Sequence, residues 1–333
     1  MFRCLKKYWF IAGLTAVFLG VMADTSGTAT SFGKWFESHS GANAVIFVIF
    51  LGSGLVLDVR RLRSGPGDLK GLLTALFLIF VCAPALAFLL GRAPIDHGIV
   101  IGFFIMSVAP STLSSGVVMT AAARGNMAHA LLVSLISNAL CVITVPLTLP
   151  LLLGAWAEHT PVSIDRWALI MKIAALVLLP LVCGMALKKA TGFRPNRPAT
   201  VIQILNQLLI LLMVFASLSQ ARNVLVSGGA QIFGIVFLVA AFHVLMLLAA
   251  TGLAHLLRLP APVQKSVLFM GSQKTLPLTL MLQVSAFSGY PLAMVVCVLH
   301  HLTQLFIDGY LVGKLSQRSA NKQIDTGPLR KLF

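Results

Sequence analysis

One lysine and a cluster of hydroxyls sit in apolar stretches that would not carry them without a reason. Lys274 lies near the middle of the stretch 262–288, inside the run Gly271-Ser272-Gln273-Lys274-Thr275-Leu276-Pro277. Half a chain earlier, the run Ala109-Pro110-Ser111-Thr112-Leu113-Ser114-Ser115-Gly116 sets four hydroxyls beside a proline within the stretch 97–123. The chemistry these residues offer is non-covalent handling of ions. Proline interrupts a helix and frees backbone groups. The N–H end of a half-helix favours anions and its carbonyl end favours cations. An ammonium at mid-bilayer costs roughly 2.5–3.5 kcal/mol on insertion scales, so Lys274 must face a cavity or a partner. The plainer alternative is that the hydroxyls bond their own helix and that Lys274 caps free helix-end carbonyls. For the lysine, both roles are compatible.

Other polar groups gather around this pair. His300, Gln304 and Asp308 follow each other at i, i+4 and i+8, which puts them on one helical face, with His301 and Thr303 beside it. Asp308 is either an intramembrane acid or an interfacial one paired with Lys314 or another cation. Ser134 and Asn138 share a face in the stretch 127–155, either as interhelical glue or as lining of the same site. Gln203, Asn206, Gln207, Ser217, Ser219 and Gln220 give the stretch 200–221 a polar side that suits a substrate-facing or interdomain surface. The candidate binding residues are therefore Thr112, Ser114, Ser115, Ser134, Asn138, Gln273, Lys274, Thr275, His301, Gln304 and Asp308. No GxSxG, phosphate loop or HExxH occurs, so no enzyme pattern is found. The five cysteines include no CxxC pair and read as small thiols rather than metal ligands or disulfides.

The elements that must hold these residues are membrane helices. Hydrophobic residues make up 58% of the 333 and charged ones only 10%, against about 25% charged in a soluble domain. Ten apolar stretches are long enough to cross a bilayer: 8–23, 41–57, 70–91, 97–123, 127–155, 166–187, 200–221, 230–257, 262–288 and 290–313. The first, preceded by a basic segment, reads as a retained span rather than a signal peptide. With the N-terminus inside, the cytoplasmic side collects Arg60, Arg61, Arg63, Lys70, Arg124, Lys188, Lys189, Arg258, Lys265, Lys314 and most of the other cations. Only Lys34, Arg92, Arg166 and Arg222 fall outside. This is the positive-inside pattern, and it accounts for the net charge of +16 without nucleic acid. Ten spans divide into five plus five of opposite orientation, and the fourth and ninth carry the two polar runs. The expectation is an all-α integral membrane protein with a first repeat at 1–157, an inverted second repeat at 158–317 and a cytoplasmic tail at 318–333.

The run Pro110 to Thr120 with Arg124-Gly125-Asn126, the segment Phe50–Leu57, and Gly271 to Leu276 resemble the bile acid:sodium symporter superfamily and its SBF-like branch. The resemblance covers nearly the whole chain. It implies a panel domain of spans 1, 2, 6 and 7 and a core domain of spans 3–5 and 8–10. The fourth and ninth spans would cross at their breaks, with substrate moved between the domains by alternating access. It carries over sodium ligands only in part. Sodium-coupled relatives have a Glu where this chain has Phe269, an Asn where it has Lys274, and a Ser-Asn pair where it has Ser115-Gly116. Ser134 matches a liganding hydroxyl and Ala130 departs from another. A sodium ion near Ser115, Ser134 and Gln273 is thus one expectation, and Lys274 in place of a bound cation is the other.

The reading is a non-enzymatic secondary transporter of a small organic solute, by preference an anion, coupled to sodium or, given Lys274, to protons. It would need no cofactor beyond a sodium ion. It would lie in a bacterial inner membrane with both termini cytoplasmic, with lipid and substrate as partners, no nucleic acid, and monomer or homodimer left open. The alternative is a non-transporting regulator of the same fold that affects cation homeostasis.

Overall fold

In the computed structural model, residues 2–57, 69–156, 165–192, 197–227 and 229–325 are described, and among them the regular structure is all helical. The helices are α1 (Phe2–Ala23), α2 (Thr28–Ser38), α3 (Gly41–Val56), α4 (Leu69–Phe77), α5 (Ala83–Leu90), α6 (His97–Val108), α7 (Ser115–Ala122) and α8 (Met127–Trp156). They continue as α9 (Arg166–Ile173), α10 (Leu179–Thr191), α11 (Arg197–Ser227), α12 (Gly229–Leu256), α13 (Ala261–Ser272), α14 (Leu276–Ala286) and α15 (Pro291–Asp325). By length and composition, five continuous stretches can cross a membrane: Leu69–Leu90, Met127–Trp156, Arg166–Thr191, Gln231–Leu256 and Pro291–Ser316. Shorter apolar helices accompany them, among them Gly41–Val56 and His97–Val108.

Two differences from the expected spans stand out. The polar stretch after α1 forms a helix of its own, α2, which packs against α11. The last helix, α15, runs on to Asp325, beyond the stretch 290–313 expected as the tenth span. The repeat boundary at 157/158 and the arginines at 60, 61 and 63 lie outside the described residues.

Both polar runs interrupt helices where expected. The first is non-helical from Ala109 to Ser114, between α6 and α7. The second is shorter, Gln273 to Thr275, between α13 and α14. Pro277 falls in the first turn of α14, where its missing N–H costs nothing, so it starts a half-helix rather than ending one.

Prolines also explain two widened turns. α4 and α5 are joined by a π-helical segment, Leu78–Cys82, and α9 and α10 by another, Ala174–Leu178. Pro84 and Pro180 follow directly in the first turn of the next helix. A ring inside a helix clashes with the carbonyl four residues back, and a wider turn relieves the clash. In the first segment the Ala83 N–H reaches back five residues to the Leu78 carbonyl. In that register the Ile79 carbonyl would pair with residue 84, and proline has no N–H to give. Pro84 thus releases one carbonyl into the protein interior.

Packing gathers the helices into two neighbourhoods. α3 lies against α10 and α11, and α1 and α2 lie against α11. The backbones of α3 and α10 approach closely, since a Cβ on Gly54 would strike the Leu181 carbonyl and one on Gly184 the Leu51 carbonyl. Elsewhere α15 packs on α6 and α12, and α13 packs on α12, α4, α7 and α8. The second neighbourhood holds both interrupted helices.

Candidate functional site

The first break leaves a row of carbonyls without helical partners. In an apolar interior each unpaired group costs several kcal/mol, so the accounting must close. It does so largely with groups from the second break and from α8. The Lys274 Nζ donates to Ser107 O at 2.6 Å and Ala109 O at 2.9 Å. Its third bond goes to Ile79 O at 2.8 Å, the carbonyl that Pro84 sets free. The Thr275 N–H donates to Pro110 O at 3.0 Å. Asn138 Nδ2 donates to Ser111 O and the Ser134 hydroxyl donates to Thr112 O, each at 3.0 Å.

Lys274 is 1% exposed, and its ammonium uses all three protons on backbone carbonyls. Such a ring of carbonyl oxygens is also how proteins hold a bare cation in place of its water. Here the cation is covalently attached. Gln304 locks the lysine's own peptide unit, accepting from Lys274 N at 2.9 Å and donating to Lys274 O at 3.0 Å. Gln304 Nε2 also lies 2.8 Å from His301 Nδ1. The one-face pattern read from α15 is therefore a clamp on the second break.

Gln273 joins the two breaks a second time. Its Oε1 accepts from Thr112 Oγ1 at 2.8 Å and Ser115 Oγ at 3.0 Å. Its Nε2 donates to Asp308 Oδ2 at 2.6 Å. Gly116 makes room for this: a Cβ there would lie 2.7 Å from Met270 Sδ and 3.0 Å from Gln273 Oε1. An asparagine at this position would need the space that Met270 and Gln273 occupy.

Asp308 is fully buried and bonds His243 Nε2 of α12 through Oδ1 at 2.9 Å. Its partner is thus a buried imidazole and not Lys314. Lys314 instead lies over the Tyr310 ring, 4.7 Å from its centre. His243 was missed in the sequence. Its signal was an isolated imidazole in the apolar run Ala240 to Met246, which is itself unusual in a membrane helix.

The other candidates sort by position. Thr112, Ser134, Asn138, Gln273, Lys274, Gln304 and Asp308 form one buried network, with His301 at its edge. Ser115 is half-buried and belongs to it. Ser114 is exposed and stands outside it, and Thr275 joins through its backbone. Asn206, read as part of a substrate-facing or interdomain surface, donates to Ile49 O and Ser53 Oγ and so ties α11 to α3. Among the described residues no three His, Cys, Asp or Glu side chains cluster as metal ligands. Cys141 and Cys297 are buried, but Cys183 is exposed.

Apolar helices wrapped around two interrupted ones, with a buried charge at the join, are the arrangement of a membrane transporter. The chain belongs to the SBF-like CPA transporter family, whose model matches residues 8–317. A protein of rice (Oryza sativa subsp. indica), named a probable chloroplastic sodium/metabolite cotransporter, is 28% identical over 92% of this chain and 75% of its own length. Sodium/bile acid cotransporter 7 of Xenopus tropicalis is 25% identical, covering 96% of this chain and 94% of its own. A Bacillus subtilis protein named an uncharacterised sodium-dependent transporter is 25% identical, covering 96% and 97%.

Proposed function

We propose that this protein is a secondary active transporter of a small organic anion, in which the Lys274 ammonium takes the place that a bound cation holds in sodium-coupled relatives. The observation that carries this reading is the three-carbonyl seat of Lys274 Nζ, built from Ile79, Ser107 and Ala109. A fixed positive charge at the meeting point of two half-helices favours an anion as the passenger. The relatives' names, which speak of bile acids and metabolites, are in keeping with an organic solute. A sodium ion near Ser115, Ser134 and Gln273 would have to displace hydrogen bonds that these groups already make with Gln273 Oε1, Thr112 O and Asp308.

The architecture in this reading is ten spans in two inverted five-helix repeats. α1, α3 and α9 to α11 act as the panel, and the elements holding both breaks act as the core. The two packing neighbourhoods and the matched breaks support that division. Transport would proceed by rocking the core against the panel, the exposed Ser114 and half-buried Ser115 presenting the first break to solute. The protein would sit in a bacterial inner membrane with both termini cytoplasmic, as the distribution of Lys and Arg supports.

Reconstitution into liposomes with a panel of labelled organic anions, including a bile acid and a dicarboxylate, tests this directly. Uptake of at least one anion is expected to persist when choline replaces sodium. Uptake that stops without sodium would refute the tethered-cation reading, and no uptake of any anion would refute the transporter reading.

A further inference from the structure

The buried charges include one that the lysine seat does not use. Among the described residues Asp308 has no Lys or Arg partner. Its Oδ2 accepts from Gln273 Nε2, and its Oδ1 lies 2.9 Å from His243 Nε2. When Asp308 is ionised and His243 neutral, the ring's one proton sits on Nε2, facing the carboxylate, and Nδ1 holds the lone pair. That Nδ1 is buried and has no hydrogen-bond partner among the described residues. A vacant acceptor on a fully buried imidazole, backed by a carboxylate on the other nitrogen, is a site shaped to take a proton.

Charge balance says what the proton does. With His243 neutral, the His243–Asp308 pair carries one negative charge, which offsets the one positive charge of Lys274 in the same core. A proton from the water phase adding to His243 Nδ1 forms a bond to that lone pair and breaks none within the protein. The pair becomes an imidazolium–carboxylate of zero net charge, and Lys274 is left uncompensated. In a low-dielectric interior an uncompensated charge is costly, and an anion bound nearby repays it. We propose that the His243–Asp308 pair is a proton-binding site whose occupancy raises the protein's affinity for its organic anion, making proton and anion travel together. This rests on the anion-transport reading above and adds the coupling ion and its residues.

Connections to both breaks make such coupling physical. Asp308 holds Gln273, and Gln273 holds Thr112 and Ser115 across the join. Four residues before Asp308, Gln304 holds the Lys274 peptide. The titratable groups from the surrounding elements are few. On α15, His300 stands edge-on to His243 at 5.7 Å between ring centres, its own buried Nε2 also unpartnered, and His301 bonds Gln304. Cys297 on α15 and Cys82 between α4 and α5 contribute thiols, and Lys274 the ammonium. The remaining charged and titratable groups on the packed elements lie toward helix ends. Lys70 is exposed, Arg222 binds Val21 O, Lys265 binds Ala123 O, His255 binds Thr251 O and Lys314 faces Tyr310. Among the described residues of these elements, Asp308 is the one buried acid.

The test has two arms. In the first, the full chain with its native cysteines replaced and Ser114→Cys as reporter is labelled by an impermeant thiol reagent across acidic to alkaline buffers. Rates are corrected for the reagent on a free thiol. The proposal expects one pH-dependent step in labelling, absent in His243→Gln, which keeps a donor to Asp308 but has no proton site, and absent in Asp308→Asn. No step in the parent protein, or the same step in both variants, overturns it. If neither variant folds, the parent profile alone still decides, because a flat profile is fatal to the proposal. In the second arm, thermal shifts with benzoate, succinate and taurocholate compare apparent affinities in acid and alkali. The expected gain in acid is about tenfold, lost in His243→Gln. Anion binding that ignores pH overturns the coupling while leaving anion transport standing. A pH step in the first arm with no anion bound leaves the proton site standing and refutes the anion reading.

Discussion

The two interrupted helices occupy matching places in the chain yet play opposite chemical parts. The first break, Ala109 to Ser114, offers acceptors, the carbonyls of Ser107 and of Ala109 to Thr112. The second, Gln273 to Thr275, answers those carbonyls with donors, the Lys274 ammonium and the Thr275 N–H, while Gln273 Oε1 accepts from the Thr112 and Ser115 hydroxyls. Their lengths differ accordingly, because a longer opening exposes more carbonyls and a short one can still deliver one long side chain. What this teaches is that a broken membrane helix need not wait for an ion to satisfy its ends. Here one break is the counterpart that makes the other affordable.

The sharpest way to break the comparison is to remove the donor. Lys274→Met leaves three buried carbonyls unpaired at once, and unfolding in detergent should show a loss of at least about 3 kcal/mol, with transport abolished. A variant as stable as the parent would mean that the carbonyls find other partners and that the lysine is not their counterpart. Next in size is Gln273→Leu, which severs Thr112, Ser115 and Asp308 together and should cost about 2–3 kcal/mol by the same measurement. Gly116→Asn tests the space between the breaks. Overpacking against Met270 and Gln273 should cost about 1–3 kcal/mol, and a Gln273→Ala partner mutation should recover part of it. The smallest effects belong to the first break's side supports. Ser134→Ala and Asn138→Ala should each cost about 1 kcal/mol, and Ser114→Ala less than about 0.5 kcal/mol, with any change falling on substrate affinity alone.

How far these roles could be read beforehand follows the range of the forces. The breaks were legible because proline and clustered hydroxyls act locally within a helix, and the lysine because charge in an apolar stretch is costly wherever it falls. The one-face spacing of His300, Gln304 and Asp308 was legible too, since helical periodicity fixes it. The partners were not. That Asp308 meets His243, about half a span deep on another helix, depends on how α12 packs on α15. Likewise, Pro84 reads as an ordinary membrane-helix proline until the π-helical turn shows that it frees Ile79 O for Lys274. The helix α2 was missed because its composition is polar, and its docking on α11 rather than its propensity holds it.

The central claim is that Lys274 is this protein's own cation. Thermal unfolding of the purified full chain, titrated with sodium chloride against choline chloride at constant ionic strength, tests it most directly, because any ion that binds the folded state stabilises it by mass action. The account predicts no saturable sodium stabilisation in the parent protein, and its appearance in Lys274→Ala, where a vacant carbonyl seat can accept the ion. Saturable sodium stabilisation of the parent protein, undiminished in Lys274→Ala, would contradict it.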